Sequence, residues 1–178
     1  MAESDKREAV LNAGRTLLLK QGFRATTMEA IAAEAGIAKA TLYKYYGDKD
    51  AVFVALATEL LVDVHEAFIE GLRAKGTLTL KVAGALAAKY ATLGEYMAGS
   101  AFADELLDVH HRLVGPRVQV AEEESDAALV AALRGGGVRE PERIAGVLDA
   151  AAYGLYRKGR GDLAEGIATV VEGVLRGV

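Results

Sequence analysis

The stretch TTMEAIAAEAGIAKATLYKYYGDKDAVF, residues 26–53, decides how the rest of the chain is read. Thr27 stands at an N-cap, and Met28, Ile31, Ala32 and Ala35 follow at i, i+3, i+4 and i+7, so the stretch opens with a short amphipathic helix. Ala30 occupies the position from which a glutamate would complete a capping box, although Glu29 still favours the positive end of the helix. Gly36 stops this helix and another begins near Ala38. A glycine-containing gap of about three residues is the connection of a helix-turn-helix, because glycine takes a left-handed turn at little cost. In the second of the two helices Leu42 and Tyr46 stand four apart and face inward, which leaves Lys39, Ala40, Tyr43 and Lys44 outside. Gly47 ends it. Asp48 then caps a helix running from Lys49 to about Lys75, with a seam of Val52, Phe53, Leu56, Leu60, Val64, Phe68 and Leu72. At that length the helix spans roughly 40 Å.

Upstream, Val10, Ala13, Gly14, Leu17 and Leu18 give a first helix over residues 5–20, closed by Gly22 with Phe23 as a hydrophobic plug. Downstream, Thr77 caps a segment carrying Leu86, Tyr90, Leu93 and Met97 at helical spacing. Residues 101–114 follow. Pro116 opens a further helix that runs to the glycines at 135–137, Pro141 opens one to about Lys158, and Asp162 starts a last one to Arg176. The reading is all-α, with about nine helices and no convincing strand. Residues 1–48 form a three-helix head and residues 49–178 a helical body.

Composition agrees. The apolar fraction of 52% is ample for a core, and abundant Gly and Ala with two prolines favour closely packed helices. There is no cysteine, hence no disulfide framework and no thiolate metal site. MAESDKREAV, at the N-terminus, is charged and lacks an apolar core, so no signal peptide is expected; no apolar run reaches membrane-spanning length. These features predict a cytoplasmic protein. The net charge of −4 speaks against a nucleic-acid partner, but its distribution does not. Residues 1–50 hold eight Lys and Arg against seven Asp and Glu, residues 51–178 thirteen against eighteen, and residues 35–47 no acid. Phosphate attraction is local, screened within about 10 Å, so a small basic face suffices.

From Gly22 to Phe53 the chain resembles the DNA-binding head of the TetR family, the tetracycline-repressor type of bacterial regulator. The resemblance lies in Gly22-Phe23, Thr27, IAAEAGI (31–37), ATLYKYY (40–46) and Asp48-Lys49. It implies a third helix that enters the major groove and a second that crosses the backbone. It carries a DNA-binding role to Thr27, Lys39, Ala40, Thr41, Tyr43, Lys44, Tyr45 and Lys49. The lysines reach phosphate or guanine edges, Ala40 approaches a thymine methyl, and the hydroxyls bond phosphate or base edges. Tyr45 stands where the family often has histidine, Tyr46 where it has an aromatic core plug, and Ala38 where it commonly has a capping serine. Without the resemblance, the Lys/Tyr cluster would read as a solvated helix end.

The resemblance further implies a homodimer whose last two helices form a four-helix interface. Its faces would be Ile144, Val147, Leu148, Ala151 and Leu155, and Leu163, Ile167, Val170, Val171 and Val174; the alternative is burial within the subunit. A small-molecule effector would meet Phe68, Tyr90, Leu93, Tyr96, Met97, Phe102, Leu106 and His110, a lining suited to a hydrophobic or aromatic compound. Asp104, Asp108 and His111 share a helix face and could ligate a metal, but such residues are more often surface charges. His65 reads as a lone polar residue, and the acids of EEESD (122–126) as a solvated face able to attract a cationic effector. No nucleophile elbow, acid–base pair or phosphate loop appears, so neither catalysis nor a cofactor is expected. The expected function is ligand-responsive repression at a double-stranded, inverted-repeat operator. The competing class is a helical ligand-binding or interaction protein whose head does not bind DNA.

Overall fold

The computed structural model describes residues 3–159 and 161–177, the side chain of His111 lying outside the description. These residues form eight helical elements: α1 (Glu3–Ala25), α2 (Met28–Glu34), α3 (Lys39–Tyr45), α4 (Lys49–Arg73), α5 (Leu78–Met97), α6 (Ala103–Gly135), α7 (Pro141–Lys158) and α8 (Leu163–Leu175). The first is divided by a sharp bend at Gly22, where φ is 79° and ψ 172°, so nine helical segments result among the described residues. No strand occurs among them. None of these helices is long and apolar enough to cross a membrane.

The caps follow the sequence. Thr27 Oγ1 accepts from the Ala30 amide, Asp48 Oδ1 from Ala51, Thr77 Oγ1 from Leu80 and Asp162 Oδ1 from Glu165. Each side chain satisfies an amide that the first helical turn leaves without a partner. Pro116 is a correction. It does not open a helix, because α6 runs unbroken from Ala103 to Gly135 with the proline inside it. The lost backbone hydrogen bond is offset by burial along α6, where Leu106, Val109, Val114, Leu129 and Leu133 are all below 9% exposed.

The chain forms two compact units, Met1–Leu60 with Met97–Val118, and Leu61–Tyr96 with Gln119–Val178. The helices α4 and α6 contribute residues to both. The first core gathers Val10, Ile31, Leu42, Val52, Leu56, Leu106 and Val114. Its apolar set on α1 is the one expected, with Val10, Ala13, Gly14 and Leu18 buried. The second gathers Phe68, Val82, Leu86, Leu129, Leu133, Ile144, Leu148, Ile167 and Val171. Each large side chain so buried contributes about 1.5–3 kcal/mol relative to exposure.

Candidate nucleic-acid interface

The turn between α2 and α3 is a Schellman motif. The Gly36 amide donates to the Ala33 carbonyl at 3.2 Å and the Ile37 amide to the Ala32 carbonyl at 3.0 Å, with Gly36 at φ 66°. A left-handed residue must follow the helix for both bonds to form, and glycine carries no Cβ to oppose it. The chain then enters α3 at Ala38, whose extended backbone is that of an N-cap but whose methyl makes no capping bond.

Two side chains hold α3 from beneath: Leu42 is fully buried and Tyr46 is 9% exposed. Burial pushes the Tyr46 hydroxyl pKa up, with smaller contributions from Arg7 and Glu59. The opposite face carries Lys39, Ala40, Tyr43 and Lys44, all exposed, with Thr41 half-buried at its margin. Tyr43 is 44% exposed, well above what a packed tyrosine shows. Thr27 lies exposed at the start of α2.

The cations differ in their engagement. Lys39 forms an ion pair with Glu29 of α2, and its ammonium lies 5.7 Å from the centre of the Tyr43 ring. Their mutual hydrogen bond, more than the bare charge, raises the Lys39 pKa and lowers that of Glu29. Lys49 Nζ donates to the Phe23 carbonyl at 2.6 Å and sits 4.3 Å from that ring's centre. Phe23 in turn meets Phe53 edge to face, centroids 5.5 Å apart. Lys44 makes no ion pair among the described residues. Tyr45 is half-buried, with the Arg7 guanidinium 5.3 Å from its ring centre.

Sequence assigned Glu29 only to the helix start, not to Lys39, and did not single out Arg7. Opposite charges at outward positions of successive helices were the available signal for Glu29; Arg7 lies thirty-eight residues before Tyr45, and local periodicity carries no trace of such a contact.

The expected effector-lining residues are divided between the two units. Phe68, Tyr90 and Leu93 belong to the second core, and Met97, Phe102 and Leu106 to the first. Tyr96 belongs to the second unit and His110 to the first, each half-buried. Helical spacing aligned these residues along their own helices and could not assign the helices to cores. In the predicted dimer faces, Ile144, Leu148, Ile167 and Val171 are 3% exposed or less inside the single chain. A partner would not touch those side chains, because the α7 and α8 stripes they form are turned into the chain's own core. Val147 is exposed, and Ala151, Leu155, Leu163, Val170 and Val174 are half-buried. His65 is not alone: its Nδ1 lies 3.1 Å from Oγ of the buried Ser125. Among the described residues no cluster of three or more His, Asp or Glu is arranged to hold a metal, and the His111 side chain of the conjectured set lies outside them.

Fold and head together define an all-α protein with an N-terminal helix-turn-helix. Residues 10–56 match the family of bacterial regulatory proteins, tetR family. Over 58 residues the chain is 43% identical to YdeS, an uncharacterized HTH-type transcriptional regulator of Bacillus subtilis (strain 168); the match covers 30% of this chain and spans 29% of that relative. The TetR family regulator PfmR of Thermus thermophilus has a similar fold, with a TM-score of 0.72 and 18% identity over 94% of this chain and 97% of its own. A regulator of the TetR/AcrR family from Thermobifida fusca gives 0.74 and 19% over 97% and 98%. The sequence likeness to the tetR family is carried by residues 10–56, and the likeness to the solved structures is one of fold.

Proposed function

We propose that this protein is a cytoplasmic, non-enzymatic, ligand-responsive transcriptional regulator, a repressor that binds double-stranded DNA as a homodimer. The observation that carries the reading is the outer face of α3, where Ala40, Tyr43 and Lys44 stand exposed over the buried Leu42. Such a face can enter a major groove about 12 Å wide, with Lys44 reading guanine edges and Ala40 meeting a thymine methyl. Thr27, Thr41, Tyr45 and the remaining donors of Lys49 would fix position on phosphates. In a two-fold dimer the two α3 helices would read half-sites about 34–36 Å apart, so the operator is an inverted repeat. The partner would rest on Val147, Ala151, Leu155, Leu163, Val170 and Val174, with the buried residues of α7 and α8 supporting them. A small hydrophobic effector would favour a dimer with another head separation, which takes several kcal/mol of differential affinity to switch fully.

Fluorescence anisotropy against fragments flanking the protein's own gene tests the reading. Binding should weaken with salt, log K falling by about 0.9 per neutralised phosphate for each unit of log salt. Failure to bind any fragment at low salt would return the function to the competing class, a helical ligand-binding or interaction protein. The engagement of Lys39 by Glu29 and of Lys49 by Phe23 favours that class.

A further inference from the structure

A charged and aromatic cluster lies in the second unit, drawn from three helices. Lys89 and Tyr90 come from α5, Glu122 and Asp126 from α6, and Asp149, Tyr153 and Tyr156 from α7. Lys89 Nζ donates to Asp149 Oδ1 at 2.7 Å, and the Tyr90 hydroxyl donates to the same oxygen at 3.0 Å. The Lys89 ammonium also lies 5.2 Å from the centre of the Tyr90 ring and 5.9 Å from that of Phe68. The Lys89 side chain is 14% exposed and that of Asp149 28%. The rings of Tyr90, Tyr153 and Tyr156 close a triangle with centroid separations of 6.0, 5.7 and 6.4 Å.

This is the environment that attracts a weakly hydrated cation: a carboxylate already relieved of part of its water, beside several electron-rich ring faces. Lys89 occupies it now, and its ammonium is outnumbered. Asp126 at the rim feels the Asp149 charge as well as that of Lys89, and Glu122 adds to the negative field at Tyr90. The Asp126 carboxyl is held above its usual range by partial burial first and by Asp149 second, with Lys89 offsetting only part. Arg157 stands near Tyr156, which leaves the Tyr90–Tyr153 side the more negative. Tyr153, 49% exposed, is the solvent-facing ring of the cluster, and Tyr90, 4% exposed, lies beneath it. Asp149, Tyr153 and Tyr156 share one face of α7 at i, i+4 and i+7, whereas Val147, Ala151 and Leu155 lie on the other flank, so a dimer built there leaves the cluster open.

We propose that this cluster binds a small organic cation carrying an aryl or alkyl group, its charge replacing the Lys89 ammonium on Asp149 and its substituent lying against the tyrosine rings. The purpose of the site rests on the regulator reading, since such a compound would be the effector; its chemistry does not need DNA. The test is therefore made on the full chain alone, by isothermal titration calorimetry with phenyltrimethylammonium and with its neutral carbon isostere tert-butylbenzene. The cation should bind and the isostere should bind at least tenfold more weakly, about the discrimination one carboxylate and the ring faces supply. Lys89→Ala, which removes the internal competitor, should tighten cation binding about tenfold, and Asp149→Asn should weaken it by a similar factor. A merely structural role for Lys89 moves binding the other way, which keeps the test meaningful if Asp149→Asn folds poorly. Equal affinity for cation and isostere, no tightening in Lys89→Ala, or no binding of the cation to either protein would overturn the proposal. DNA binding without cation binding refutes this inference alone; cation binding without DNA binding refutes the regulator reading alone.

Discussion

Lys49 Nζ donates a hydrogen bond of 2.6 Å to the carbonyl oxygen of Phe23, and the same ammonium lies 4.3 Å from the centre of the Phe23 ring. The first residue of α4 thereby holds the chain just past the bend at Gly22, where a methyl group would meet Glu105 Oε2 at 2.5 Å and Phe102 Cδ1 at 2.8 Å. Around that bend the Arg24 amide donates to Glu105 Oε1 at 2.8 Å and Ser100 Oγ to the Leu19 carbonyl at 2.9 Å. The bend is fixed from several directions, and the ammonium is one of them.

Lys49→Ala should therefore cost about 1.5–3 kcal/mol of folding stability, the range for a hydrogen bond that involves a charged group. Urea unfolding should show a lower midpoint at unchanged slope. On DNA the same variant should lower the salt slope by about one if the two remaining N–H donors reach a phosphate. A loss of affinity at constant slope would limit Lys49 to positioning Phe23.

Glu29 neutralises the cation that stands nearest the start of α3. Glu29→Gln should strengthen binding to every DNA sequence several-fold and steepen the salt slope by about 0.9, because a freed Lys39 releases one more counterion. Anisotropy titrations at three or more salt concentrations measure both quantities, and an unchanged slope would show that Lys39 meets no phosphate.

Ala38 presents the extended backbone of an N-cap without a capping oxygen. Ala38→Ser should stabilise the protein by about 1 kcal/mol, visible as a higher Tm in circular dichroism. Thr27 is the internal comparison, since its hydroxyl already accepts from Ala30 at 3.1 Å and its removal should destabilise by a similar amount.

Asp126 gives a pH-dependent prediction. Its folded pKa is raised by partial burial and by the neighbouring Asp149 charge. The folded state therefore keeps this proton over a window in which the unfolded chain has lost it, and stability falls as pH rises through that window, from the ordinary carboxylate value to the raised one. Asp126→Asn removes the penalty. It should raise Tm near pH 7 and make no difference below about pH 3, where the carboxyl is protonated in both states. A constant difference across that range would place the effect elsewhere.

Much of the head was legible because its determinants are local. Thr27, Gly36, Asp48 and the inward pair Leu42 and Tyr46 act within one or two helical turns, and each lies where spacing put it. The path of α6 through Pro116 was not legible, since proline at a helix start and proline inside a helix held by distant burial look alike in sequence. The side of α7 and α8 that faces inward was equally hidden: Ile144, Leu148, Ile167 and Val171 form a stripe that suits a partner's surface and the chain's own core alike.

The sequence by itself determined the helices, their caps, the glycine turn and which side of α3 carries lysine and tyrosine, because those follow from backbone sterics and a 3.6-residue period. Tertiary structure alone decided which of those groups are already engaged. Lys39 with Glu29, Lys49 with the Phe23 carbonyl, and Lys89 with Asp149 are meetings of residues ten, twenty-six and sixty positions apart. Pairing over such separations depends on how whole helices dock, and docking is set by the summed burial of many side chains rather than by any one of the residues that meet.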